Sequence, residues 1–107
     1  MKYQVSLAEA IQQLAGEEDS VFTTMLAAGT MRVEYYAPLI KDLQTPHTQD
    51  ELYIIMSGAA GFVRNGEKTD CKKGDVLYVP HGLQHSFIDF TDDFATWVVF
   101  YGEKHLH

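Results

Sequence analysis

Pro46-His47-Thr48-Gln49-Asp50-Glu51-Leu52-Tyr53-Ile54-Ile55-Met56-Ser57-Gly58 places an imidazole and a carboxylate four positions apart, then runs into an apolar strand that stops at a glycine. Successive side chains of a strand alternate between faces, so Glu51, Tyr53 and Ile55 point one way and Leu52, Ile54 and Met56 the other. Neither face is polar, and both therefore need cover. One can line a barrel interior; the other is expected to meet an N-terminal helix or a second copy of the chain. A second stretch, Gly74-Asp75-Val76-Leu77-Tyr78-Val79-Pro80-His81-Gly82-Leu83-Gln84-His85, is suited to meet the first. Gly74 permits a turn into the strand, Pro80 and Gly82 fix a tight reversal, and His85 begins the return strand. A His-x-x-x-Glu pair alone is common and reads first as an ordinary pair at the mouth of a turn. With the second stretch added, the reading becomes one metal ion held inside a small β-barrel by His47, Glu51 and His85.

The chain on either side reads as short strands after one helix. Ser6-Leu7-Ala8-Glu9 has the form of a capping box, with Leu7, Ile11 and Leu14 on one stripe and Gly16 closing the element. The prediction is an amphipathic helix from about Leu7 to Ala15 laid against the barrel. Val21 to Leu26 and Met31 to Tyr36 follow as strands about Gly29; Val33 and Tyr35 share one face, and Arg32, Glu34 and Tyr36 the other. Ala37 to Pro46 is a loop, and Pro46 leads His47 in extended. Asn65-Gly66 signals a two-residue hairpin between Ala60–Arg64 and Glu67–Cys71. Val76–Val79, His85–Phe90 and Ala95–Tyr101 complete seven or eight strands with no alternating helices, which indicates an all-β sandwich or barrel. The tail from Lys104 to His107 is expected to fray.

The spacing of these residues resembles the cupin family. Its second motif is matched at Gly74, Pro80, Gly82 and His85, and the last position, usually Asn, falls on Asp89. In its first motif, Glu51 and Gly58 keep the separation of six intervening residues, and His47 stands where the second of two histidines sits. The first histidine's position falls on Thr45, so the chain departs from a set of three histidines and one glutamate. The resemblance implies a double-stranded β-helix, or jelly-roll barrel, over residues 1–107 as a single domain with a short N-terminal helix. It also implies a small cupin of the kind that includes dioxygenases, isomerases and decarboxylases, commonly as homodimers.

Two imidazoles and one carboxylate suit a divalent Fe, Mn, Ni, Co or Zn ion, and with open positions they match the donor set of non-haem iron oxygenases. Solvent ranks first for a vacant position; Gln49 and Thr45 are side-chain candidates, and Asp89 is a candidate for hydrogen bonding within the pocket. Tyr53, Phe87, Trp97 and Tyr101 are candidates to line the cavity, although aromatics in a barrel are more often core. Arg32 would bind an acidic substrate if its face turns inward; an edge position with its charge in water is preferred. His81, in a turn, reads as exposed, and Cys71 as a small buried apolar residue. Two functions follow: a metal-dependent, dioxygenase-like enzyme acting on a small oxygen-rich organic molecule, or a non-catalytic module that binds or senses a sugar or organic acid.

Composition limits the partners. Eight basic and fifteen acidic residues give a formal net charge of -7, with no basic cluster to meet a phosphate backbone, so nucleic acid and anionic membrane are not expected. No apolar run is long enough to span a bilayer, and Met1 to Ser6 lacks the apolar block of a secretion signal. One cysteine cannot form an internal disulfide, which fits a reducing cytoplasm.

Overall fold

A computed structural model describes residues 2–105. The helix α1 (Leu7–Ala15) is followed by eight strands: β1 (Phe22–Ala28), β2 (Met31–Tyr36), β3 (Asp50–Ser57), β4 (Ala59–Arg64), β5 (Glu67–Lys72), β6 (Val76–Val79), β7 (His85–Ile88) and β8 (Ala95–Tyr101). They form two sheets of antiparallel neighbours, one in the order β1-β2-β8-β3-β6 and the other β5-β4-β7. The layout is that of a jelly roll, with one core between the sheets.

Strand alternation sorts the core. Glu51, Tyr53 and Ile55 of β3 are almost wholly buried, and Leu52, Ile54 and Met56 lie half-buried on the other face. Tyr53 and Ile55 join Tyr36, Phe62, Phe87, Val98 and Phe100 in the central cluster. Cys71 is buried in that same cluster. The chain passes from the larger sheet to the smaller at Gly58, where φ is +71° and an added Cβ would lie 2.8 Å from the Phe94 Cα. Only glycine meets both conditions. Asn65 and Gly66, with φ of 50° and 84°, make the two-residue turn between β4 and β5.

Ser6 caps α1, its hydroxyl accepting from the Glu9 N–H (3.1 Å) and donating to the Glu9 carboxylate (3.1 Å). The expected stripe needs one correction. Ala10 is fully buried, whereas Ile11 is half exposed, so Leu7, Ala10 and Leu14 face the sheet. The helix packs on β1 and β2, against Met25 and Tyr35, and does not cover β3. The expected fraying also needs revision for His105, whose N–H donates to the Thr48 carbonyl (2.7 Å) and whose ring stacks on His81 at 3.6 Å. Residues 106 and 107 of that tail lie outside the described residues.

Candidate metal centre

Three elements meet at one end of the barrel. Glu51 is near the start of β3 in the larger sheet, His85 opens β7 in the smaller, and His47 comes from the loop ahead of β3. The turn at Pro80-His81-Gly82 links them, because the Gly82 N–H donates to the His47 carbonyl (2.8 Å). The same turn is held to β3 by Asp50, which accepts from the His81 N–H at 2.9 Å. Phe100 meets the His47 ring edge-on with centroids 5.0 Å apart, fixing its orientation.

One donor atom from each of His47, Glu51 and His85 lies within 4.8 Å of the others. His85 Nε2 is 3.0 Å and His47 Nε2 3.9 Å from Glu51 Oε1. In neutral His85, Nδ1–H donates to the Leu83 carbonyl (2.9 Å), which leaves the lone pair of Nε2 facing the centre. Burial holds His47 below the ordinary imidazole range, against the pull of Glu51. Burial also acts to lower His85, but the adjacent Glu51 carboxylate and the Leu83 carbonyl outweigh it and raise its pKa. Burial, reinforced by the Glu51 charge, keeps the Tyr53 phenol protonated well above its usual range.

Glu51 carries the diagnostic feature. It is 0 % exposed, yet neither carboxylate oxygen has a partner of hydrogen-bond geometry among the described residues. The nearest polar atom is His85 Nε2, 3.0 Å from Glu51 Oε1 but outside hydrogen-bond geometry. A buried carboxylate without donors is costly, and a cation would compensate that cost. Two imidazoles and this carboxylate form a donor set that fits a divalent transition ion.

Of the three residues, His47 alone reaches the wall of a cavity of about 480 Å³, while Glu51 and His85 lie buried behind it. Its wall includes His47, Val98 and Phe100, with Tyr36, Arg32 and Glu34 from β2 and Leu39, Lys41, Leu43 and Thr45 from the loop. Arg32 thus lies on the inner face of β2, in the wall of the cavity, with its side chain still 39% exposed to water. Its guanidinium lies 4.5 Å from the Phe100 ring centroid, and its Nε–H donates to Glu34 at 2.7 Å.

The remaining candidates separate clearly. Tyr53 and Phe87 are inward, and the Tyr53 hydroxyl reaches His85 Nε2 at 3.0 Å. Trp97 and Tyr101 were expected to line the cavity, but they occupy the outer face of β8; Val98 and Phe100 take the inner one. Trp97 packs edge-on against Tyr35 beneath α1. Asp89 does not share the pocket with His85, because β7 ends at Ile88 and Asp89 turns out at φ 49° to face Lys68. Gln49 is buried but spends both amide hydrogens on the carbonyls of Thr30 (2.9 Å) and Gly102 (3.1 Å), away from the centre. Thr45 is exposed on the cavity wall.

Asp42 and Gln44 were not anticipated. The Gln44 side-chain oxygen accepts from the Tyr53 hydroxyl (2.9 Å) and lies 3.3 Å from His47 Nε2. Asp42 is buried beneath the same loop, where it accepts from the Phe87 N–H (2.7 Å) and the Tyr36 hydroxyl (2.5 Å). A polar loop carries no periodicity to reveal such inward turns; the only local hint was an Asp two residues before Gln44, a spacing that favours an Asx turn.

A small jelly-roll barrel with a His–Glu–His group at its open end defines the class of protein. The chain belongs to the family described as Cupin domain, whose model matches residues 31–101. An uncharacterised protein of Streptomyces coelicolor is 37% identical over 84 residues, covering 77% of this chain and 80% of that one. Among solved structures, a Cupin 2 conserved barrel domain protein from Salinispora arenicola has a TM-score of 0.65 at 24% identity, covering 76% of this chain and 74% of its own. A Photorhabdus luminescens protein has a TM-score of 0.73 at 17% identity, with 96% and 90% covered. At these identities the structural likeness concerns the fold.

Proposed function

We propose that this cupin is a metal-dependent enzyme acting on a small oxygen-rich organic molecule, with dioxygenase-like chemistry as the leading reaction class. The observation that carries the reading is the buried Glu51 carboxylate, bare of donors and facing two imidazoles beside a cavity. His47, Glu51 and His85 would hold the ion. When bound, such an ion supplies Lewis-acid polarisation of a substrate oxygen and, if it is iron, access to dioxygen chemistry.

The protein's own groups position the substrate. Val98 and Phe100 offer apolar contact and exclude water from the inner wall, while Arg32 and Lys41 offer positive charge to an acidic group. Glu34 partly neutralises Arg32 and fixes its direction. The Tyr53 hydroxyl, held protonated, donates to Gln44 and stands 3.0 Å from His85 Nε2. Polar groups beyond the His–Glu–His set favour an enzyme over a module that merely binds a sugar or organic acid, because they can discriminate between substrate and transition state.

Elemental analysis of protein purified without chelator or added metal is expected to find about one divalent transition ion per chain. Glu51→Ala and His85→Ala should strip it while far-ultraviolet circular dichroism stays that of the barrel. Equal metal content in wild type and both variants would refute the site.

We further propose a homodimer, formed through the outer face near the β6 edge. There Tyr78 pairs with Leu52 and Val76 with Ile54, and Val76 and Tyr78 are both exposed.

A further inference from the structure

We propose that the side-chain oxygen of Gln44 is a fourth protein donor to the centre formed by His47, Glu51 and His85, held in that role by Asp42. The inference rests on the metal reading above and adds a residue to it. Three contacts locate the amide. Its oxygen is 3.3 Å from His47 Nε2, a separation that two ligand atoms of one first-row ion can adopt, and 2.9 Å from the Tyr53 hydroxyl, which stands 3.0 Å from His85 Nε2. Its nitrogen donates to Asp42 Oδ2 at 3.0 Å.

The last contact decides which end of the amide faces inward. A flipped amide would set its oxygen against the Asp42 carboxylate, two acceptors in contact, and would turn its hydrogens on the centre. Asp42 cannot yield, because the same carboxylate accepts from the Phe87 N–H (2.7 Å), the Gln44 N–H (3.2 Å) and the Tyr36 hydroxyl (2.5 Å). A buried anion is thus committed to aiming one neutral oxygen at the candidate ligands, the arrangement expected around a metal ligand. Tyr53 has a single proton, and donating it to Gln44 leaves His85 Nε2 free to bind an ion. Because Gln44 is neutral, the protein offers the ion only the charge of Glu51. The centre would keep one net positive charge, which selects a substrate that binds through an oxyanion.

Co(II) is the probe. Wild-type protein is expected to bind it with a visible d–d spectrum, and Gln44→Ala and Gln44→Leu to bind it at least about tenfold more weakly with altered bands. Circular dichroism checks that the variants fold. Affinity and bands unchanged in both variants would overturn the assignment of Gln44 and leave the metal reading standing. Weaker binding with unchanged bands would also overturn it, marking a loop effect and not a lost donor. In wild type, the Gln44 side-chain amide resonances should shift strongly as Co(II) is added; resonances that stay in place refute the proposal without any variant. Wild type that takes up no ion overturns both readings.

Discussion

Glu51 sets a conflict between stability and binding in one side chain. Its carboxylate is fully buried without hydrogen-bond donors, so the metal-free barrel carries an electrostatic burden that an uncharged isostere would relieve. Glu51→Gln, melted in chelator at alkaline pH where His85 is neutral, is expected to be at least as stable as wild type, by up to about 3 kcal/mol; the advantage should shrink as pH falls and His85, its pKa raised by Glu51, takes up a proton. The same variant should lose the rise in melting temperature that added Co(II) or Mn(II) gives wild type. A Glu51→Gln protein that melts well below wild type in chelator would mean that His85 already satisfies the carboxylate. At this scale the sequence was informative where residue type and spacing both constrain chemistry, as for His47, Glu51 and His85. It was silent on Gln44, because what turns that amide inward is a carboxylate buried by tertiary contacts, and no local pattern encodes them.

Among the elements, α1 separates pattern from packing. Ser6 and Gly16 marked its ends correctly, but the stripe read from the apolar spacing included Ile11, whereas the sheet receives Ala10 between Leu7 and Leu14. A small residue at the point of closest approach lets the helix sit near Met25 and Tyr35. Ala10→Leu should therefore cost about 1–3 kcal/mol through overpacking. Ile11→Ala should change stability by less than about 0.5 kcal/mol. Urea denaturation of the two variants tests the ordering, and a larger loss at Ile11 would reverse the assignment of faces. Strand β8 shows the complementary difficulty. Ala95 to Tyr101 has bulky residues on both sides, so its composition could not say whether Trp97 or Val98 faces inward; pairing with β2 and β3 decides it. In β3 the inward row was legible because Glu51, read as a candidate ligand, heads it.

For the molecule as a whole, the strand count and turn residues carried the architecture, and the order of strands within the sheets came only with the structure. No helix among the described residues is long and apolar enough to cross a membrane. The helix leaves the outer row of β3 half-buried, and that row continues onto exposed Val76 and Tyr78. Sedimentation at micromolar concentration is expected to give a particle of twice the 12.1 kDa chain mass. Val76→Asp with Tyr78→Asp should return it to the mass of one chain, whereas wild type sedimenting at 12.1 kDa would remove the proposed dimer.

His85 belongs to one sheet and Glu51 to the other. An ion shared between them would rivet the two halves of the sandwich together, so occupancy should slow amide exchange in β7 and β3 alike. Scarcity of the ion would then loosen the seam itself, making the molecule's lifetime among proteases a gauge of metal supply.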